Sequence, residues 1–235
     1  MTMSADQWTL WQVFGFELNA TIAFTWLVMA ILVIGSIAVT ARLSDDDHPS
    51  YWQSLLEVIV TGIADQIRDV GARDAQHYLP FIGTLFLFIA ISNLLAVVPG
   101  YMPPTGSLST TTALAIAVLV AVPVYGIAKT GFRQYLKNYT RPTLFMLPFN
   151  VIGELSRTIA LAVRLYGNVM SGTVIVGILI SIAPFFFPII MQLLGMLTGL
   201  IQAYIFAVLA TVYIASATRA YGGPDDAPKT SEGGA

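Results

Sequence analysis

Two arginines and one glutamate stand inside an otherwise apolar stretch, residues 154–168, which reads ELSRTIALAVRLYGN. Arg157 and Arg164 are seven residues apart, nearly two turns of an α-helix, so they lie on roughly one face. Glu154 precedes Arg157 by about one turn and can form a local ion pair with it. Arg157 also lies close enough to the start of the apolar segment for its guanidinium to reach the membrane interface. These types and spacings predict a structural charge pair, Glu154 with Arg157, and leave Arg164 in need of another partner.

Arg164 lies near the middle of its segment, with no acidic residue within seven positions on either side. A guanidinium at the centre of a bilayer costs about 2.5–3.5 kcal/mol on insertion scales and roughly 10–17 kcal/mol in simulations, so it must face protein, water or an anion. No carboxylate occurs between Glu154 and Asp225, and we therefore expect the anion to come from another chain. The alternative is a purely structural role, in which backbone carbonyls and Gln202 hold Arg164. Other polar groups of the last apolar segment include Gln192, Thr198 and Tyr204.

The composition indicates a membrane protein, because 56% of the 235 residues are hydrophobic and only 10% are charged. A formal net charge of −2 argues against a nucleic-acid partner, which would call for a basic face. The chain contains no cysteine, which excludes disulfides, thiol catalysis and cysteine-based metal sites. Its first residues lack the basic region of a cleavable signal, so we expect the first apolar segment to be a retained span.

The pattern of apolar segments predicts an all-α integral membrane protein with one membrane domain over residues 1–235. We expect about five membrane helices plus one amphipathic interfacial helix. Residues 51–70 predict the amphipathic helix, because apolar residues recur there at three- and four-residue steps opposite polar ones. That helix lies at the interface or on a partner, or else it packs only on its own chain. The first three spans are predicted at 20–41, 81–98 and 111–130.

The last two apolar segments, 148–182 and 189–218, are too long for upright spans. At 1.5 Å per residue they would be about 50 Å and about 45 Å long, against a hydrocarbon core of about 30 Å. We therefore expect a long, steeply tilted helical hairpin, or helices that break or run on into water. The polar tail at 221–235 is rich in glycine and proline and is expected to be disordered.

The distribution of basic residues predicts the orientation in the membrane. The connections before the first span, between the second and third spans, and between the last two segments contain no Lys or Arg. The connection after the third span is strongly basic and has no acid. Five helical segments with the N-terminus outside and the C-terminus in the cytoplasm satisfy this bias at every crossing. The basic residues of that connection are Lys129, Arg133, Lys137 and Arg141.

The stretch RTIALAVRLYGNVMSG, followed by GLIQAYIFAVLATVYIA, closely resembles the a subunit of bacterial rotary F-type ATP synthases. The resemblance extends over nearly the whole chain, including SNLLAVVPGYMPPTGSLSTTTALA around the second loop. It implies the stator half of a membrane ion channel, without a catalytic site or cofactor of its own, in the bacterial plasma (inner) membrane. The implied partners are the c-subunit ring, the peripheral-stalk b subunits, the remainder of the ATP synthase complex and the lipid bilayer.

The resemblance also implies roles for individual residues. Arg164 would face a carboxylate on each c subunit, drive off its bound ion and block leakage between two aqueous half-channels. Gln202 matches a glutamine that faces this arginine in the family, and Asn168 matches an asparagine one turn beyond it.

Four positions depart from titratable residues that are common in the family. Thr173 and Gly195 stand where a carboxylate and a histidine are often found. Asn150 replaces an acid, with Glu154 one turn later, and Ser107 replaces an acid in the second loop. We expect either a water-lined proton path or a sodium-translocating member, with protons as the default. The residues expected along this path are Glu154, Asn150, Asn168, Ser171, Thr173, Gln202 and Ser107.

Two other functional classes fit the sequence less well. A stand-alone transporter or channel would need an acid or substrate site of its own near the midplane, and the isolated Arg164 argues against that. An intramembrane enzyme would need a catalytic or metal-binding constellation inside the spans. His48 and His77 lie in flanking polar segments instead, so we expect no metal site.

Overall fold

The computed structural model describes residues 9–13, 16–41, 51–69, 75–98, 100–133, 135, 146–182 and 187–219. The all-α membrane class predicted from the sequence is confirmed, and five helices in these ranges are long and apolar enough to cross a membrane. The tail at 221–235, together with Lys137 and Arg141, lies outside the described residues. The principal helices are α1 Ala20–Thr40, α2 Tyr51–Asp69, α3 Ala75–Leu94, α4 Leu108–Thr130, α5 Met146–Ile182 and α6 Phe187–Arg219.

A short antiparallel hairpin precedes α1 and was not predicted. Its strands are β1 Thr9–Val13 and β2 Phe16–Asn19, with Val13 opposite Phe16 next to the turn. Such a hairpin is difficult to predict from sequence periodicity. An isolated two-stranded hairpin is only marginally stable, and its apolar residues form only a weak alternating pattern.

Helix α1 lies at the edge of the bundle, and its apolar side chains mostly point outward. Trp26 is 69% exposed and Ile34 is 66% exposed, whereas Val28 is fully buried against the rest of the chain. Exposed apolar side chains suit a helix that faces lipid, since lipid tails are as apolar as leucine. The helix therefore has the length and surface of a simple span.

Helix α3 begins at Ala75, six residues before the start predicted from Pro80. Pro80 lies inside the helix, close to its beginning, where the missing N–H removes one backbone hydrogen bond. The Thr84 hydroxyl donates to the Pro80 carbonyl at 2.6 Å and so satisfies a polar group in this turn. After α3 the chain makes a 3₁₀ turn and then bends at Gly100, whose φ of +87° lies in the left-handed region that favours glycine.

Helices α5 and α6 pack against each other, and each is continuous over its whole described length. Helix α6 also packs on α2, α3 and α4, so it lies at the centre of the bundle. Small and large side chains alternate at its buried face, where Ala203, Phe206 and Ala210 are fully buried. Since neither helix breaks within these bounds, their excess length over the bilayer requires tilt or extension into water.

The amphipathic helix α2 packs on its own chain through its second half. Ile67 is fully buried against α3 and α6, and the Tyr204 hydroxyl of α6 donates to Gln66 Oε1 at 2.5 Å. Val58, on another face, remains 72% exposed. The helix thus has an intramolecular contact and also an apolar face that other described residues do not cover.

Candidate functional site

A polar stripe runs along α5 beside its buried face. Leu161 and Leu165 are buried against neighbouring helices, while Arg157 and Arg164 are exposed. Steps of three, four and seven residues place the members of the stripe along one side of the helix. The helix therefore presents its cations at its surface while its leucines hold it in the bundle. The stripe consists of Asn150, Arg157, Arg164, Asn168 and Ser171.

Arg164 has no counterion in the part of the chain that the structure describes. The ion pair found there joins Arg68 and Asp65 on the exposed side of α2, at 3.0 Å. No hydrogen bond to the Arg164 guanidinium occurs among the described residues either. The side chain is therefore an exposed cation on a long membrane helix, open to a group from outside these residues.

Arg157 contacts α6 and not Glu154. Its guanidinium carbon lies 5.5 Å from the centroid of the Tyr213 ring, within the range of a cation–π interaction. The described residues contain no ion pair between Arg157 and Glu154, contrary to the pairing suggested by their spacing. An ion pair between residues one helical turn apart is worth only about 0.2–0.5 kcal/mol, so the Tyr213 ring is a competitive partner for the guanidinium.

Two amide side chains lie at the interface between α5 and α6. The Asn168 amide donates to the Thr198 carbonyl at 3.3 Å, which joins the helices one turn beyond Arg164. Gln202 is buried, and its Nε2 has no hydrogen-bond partner among the described residues. A buried amide without a partner is costly, by about 1–3 kcal/mol, so the Gln202 amide has an unused donor inside the helix bundle.

A cavity of about 200 Å³ lies between α3, the loop at 100–103, α5 and α6. Its lining includes Asn168, Thr173 and Gly195. Gln192 also reaches it and donates to the Ala96 carbonyl at 2.7 Å. The lining is mostly apolar with a few hydroxyl and amide groups, and it contains no charged side chain.

The other predicted path residues do not line this cavity. Glu154 and Asn150 lie on the preceding part of α5, the Ser171 hydroxyl donates to the Asn168 carbonyl at 3.0 Å, and Gln202 is buried between helices. Ser107 is buried at the start of α4, where its hydroxyl oxygen lies 2.7 Å from that of Ser109.

Asn93 and Tyr101 also line the cavity and were not predicted as site residues. Burial raises the pKa of Tyr101 to about 12, so its phenol keeps its proton at physiological pH and acts as a hydroxyl group. The available signal for Asn93 was its amide within an apolar span, because polar residues inside membrane helices are usually functional.

Within the described ranges, no group of three or more His, Cys, Asp or Glu side chains could hold a metal ion. The site combines the Arg164 guanidinium with the amides of Asn93, Asn168, Gln192 and Gln202 and several hydroxyl groups. Such a set can bind an anion and order water.

Comparison with known proteins gives a consistent result. A family model described as ATP synthase A chain matches residues 22–215. ATP synthase subunit a 2 of Acaryochloris marina is 63% identical over 93% of this chain and 94% of its own length. ATP synthase subunit a of Albidiferax ferrireducens is 58% identical, and subunit a 1 of Prosthecochloris aestuarii is 57% identical, each over 93% of this chain. The resemblance seen in the arginine and glutamine blocks is therefore confirmed: the chain is a multi-pass membrane protein that belongs to the ATP synthase subunit a family.

Proposed function

We propose that this chain is the stator a subunit of a rotary ATP synthase, which passes ions to and from carboxylates on a turning ring of c subunits. One observation carries the proposal: Arg164 is exposed on a membrane helix, and no described carboxylate pairs with it. The names of its relatives support membership in the ATP synthase complex. A ring subunit that presents one carboxylate at a time would supply the missing anion.

The fixed charge of Arg164 accounts for ion release from the ring. A guanidinium stabilises the ionised form of a carboxylate that approaches it, so the arriving acid gives up its proton or sodium ion. The same positive charge repels cations that would cross directly between the two half-channels. Arginine suits this role because it stays protonated at any relevant pH, whereas a desolvated lysine can lose its proton.

The cavity between α3, α5 and α6 is proposed as part of the outer half-channel. It lies on the side of the loop at 100–103, which contains no basic residue and is expected to face away from the cytoplasm. Asn168 lines the cavity one turn from Arg164, so the passage leads toward the arginine. The second half-channel would begin near Glu154 and Asn150, on the cytoplasmic part of α5.

Rotation follows from the separation of the two paths. An ion that enters on one side must ride the ring almost fully round before it meets the other exit. Each elementary charge that moves down 100 mV releases about 2.3 kcal/mol, and several such steps together can drive ATP synthesis in an attached catalytic head. The b subunits of the peripheral stalk would hold this chain still, and the plasma (inner) membrane of a bacterium would be its site of action.

Substitution of Arg164 tests the proposal. Arg164→Ala in the intact complex should abolish ATP-driven ion pumping in inverted membrane vesicles while the complex still assembles. Ser216→Ala is a matched control, since Ser216 is exposed on α6 outside the proposed path. Pumping by the Arg164→Ala complex at the parent rate would refute the assignment. Ion transport by the purified chain alone in vesicles would favour a stand-alone channel instead.

The effect of sodium on ATPase activity distinguishes proton translocation from sodium translocation. The cavity holds hydroxyl and amide oxygens where related proteins often carry titratable groups, so both ions fit its chemistry. For a proton machine, ATPase activity of the coupled complex should not change when sodium is added at constant ionic strength. Stimulation by sodium would assign the ring to that ion.

A further inference from the structure

Two consecutive carbonyl groups of α6 accept hydrogen bonds from asparagines on two different helices. The Asn168 amide on α5 donates to Thr198 O at 3.3 Å, and the Asn93 amide on α3 donates to Gly199 O at 3.1 Å. Asn93 Oδ1 also accepts from the Thr105 hydroxyl at 3.1 Å. Asn93 and Thr105 are both buried, with 4% and 0% of their surfaces exposed. One side chain thus joins α3, the second loop and α6.

Gly199 permits the close approach of α3 and α6. A Cβ atom added at this position would lie 2.8 Å from both Cβ and Cγ of Asn93, which is too close for carbon atoms that are not bonded to each other. Gly195, one turn earlier on the same helix, has open space where its Cβ would be. The close contact between α3 and α6 is therefore found at the turn of α6 that contains Gly199 and not at the turn that contains Gly195.

This contact lies within one turn of the groups that act on the ion. Gln202 follows Gly199 by three residues, and Asn168 follows Arg164 by four. A slide of α6 by one residue moves its backbone about 1.5 Å along the axis, which is enough to break a hydrogen bond of ordinary length. Apolar helix faces in lipid resist such slides weakly, whereas interhelical hydrogen bonds and small residues set the packing.

We propose that Asn93 is a positioning residue for ion translocation, which works with Gly199 to fix the axial register of α6 and so holds Gln202 level with the Arg164 turn. The inference rests on the proposed function of the chain. Both ends of the Asn93 amide already bind protein groups, Gly199 O and Thr105 Oγ1, and this favours a positioning role over transfer of the ion from atom to atom.

Removal of the contact should impair pumping in the intact complex. Asn93→Leu keeps the approximate shape and loses both hydrogen bonds, and Gly199→Ala forces the helices apart. We expect each to lower ATP-driven pumping about ten-fold or more at normal complex abundance, because small misplacements near a reacting group have effects of that size. Gly83→Ala is the matched control on α3, since an added Cβ meets no atom within 4 Å there, and it should pump like the parent.

Thr105 separates positioning from direct ion transfer, because it holds the oxygen of the Asn93 amide but does not line the cavity. Thr105→Val removes this hydrogen bond and leaves the Asn93 side chain in place. If Asn93 is a positioning residue, Thr105→Val should lower pumping about five-fold, the effect of one hydrogen bond. Thr105→Ser keeps the hydroxyl and should pump like the parent.

Three results would overturn the inference. Asn93→Leu could pump at the parent rate, Gly199→Ala could do so, or Thr105→Val could do so. In the last case Asn93 would act on the ion itself. If Arg164→Ala abolishes pumping while Asn93→Leu does not, the inference fails and the proposed function stands. If Arg164→Ala pumps normally, the proposed function itself fails.

Discussion

The two arginines of α5 have the same residue type and share one face, yet their surroundings give them different roles. Arg157 rests on the Tyr213 ring of the neighbouring helix, and Arg164 has no described partner. A partnered cation contributes to stability, whereas an unpartnered one in a membrane persists only if something outside compensates for it. This difference in surroundings supports the proposal that Arg157 is structural and Arg164 acts on the ion.

We expect Arg157→Leu to lower stability more than transport. Loss of the contact with Tyr213 should cost about 0.5–2 kcal/mol, the usual range of a cation–π interaction. Thermal unfolding of the purified complex and its abundance in membranes should both fall, while pumping per assembled complex stays near the parent value.

The ring of Tyr213 provides the matched control for this prediction. Tyr213→Phe keeps an aromatic face and should preserve stability, whereas Tyr213→Leu should reproduce the effect of Arg157→Leu. Complete loss of pumping at normal abundance in Arg157→Leu would show that this arginine also acts on the ion.

At the scale of elements, α2 is held to the bundle by few contacts. A second cavity, of about 340 Å³, separates part of α2 from α3 and α6 and is lined mainly by apolar side chains. The hydrogen bond from the Tyr204 hydroxyl to Gln66 Oε1 joins α6 to α2 beside this cavity. Because the apolar packing is incomplete there, this bond should contribute a large share of the attachment.

Tyr204→Phe should loosen α2, because it removes only the hydroxyl that donates to Gln66. The expected loss is about 1 kcal/mol, seen as faster amide hydrogen exchange over residues 58–67. Asp65→Asn is the control on the same helix, since the pair that it breaks is exposed and exposed pairs contribute little. Unchanged exchange in Tyr204→Phe would mean that apolar contacts alone hold the helix.

At the scale of the whole molecule, the cavity and Arg164 are neighbours along one side of α5, about one helical turn apart. The cavity opens among α3, the second loop and the hairpin, while the arginine belongs to the exposed face. Asn168 belongs to both regions. An opening beside an exposed cation is what the proposed transfer of ions to c-subunit carboxylates would need.

Single cysteines can test whether this cavity is wet, since the native chain contains none. Thr173→Cys lines the cavity and should react with a water-soluble, membrane-impermeant thiol reagent added from outside. Ile180→Cys, on the exposed face of the same helix, should react about ten-fold more slowly, because thiolates form poorly in apolar surroundings. Equal rates would show that the cavity is not an aqueous path.

Local pattern in the sequence was enough to predict the helices and the isolation of Arg164. Membrane spans appear as long apolar runs, and the absence of nearby acids can be read directly from the chain. The exact start of α3 was missed because a proline near a helix start costs only one hydrogen bond. The hairpin before α1 was missed because short strands carry little periodic signal.

Contacts between helices were decided only by the tertiary structure. Spacing favoured Glu154 as the partner of Arg157, but the packing of α5 on α6 supplied the Tyr213 ring. The hydrogen bond from the Asn93 amide to the Gly199 carbonyl joins residues that are 106 positions apart, and the sequence around either residue does not predict it. Helical periodicity predicts which residues lie on the same face of one helix. Which neighbour that face meets, and at what register, depends on how all the helices pack together.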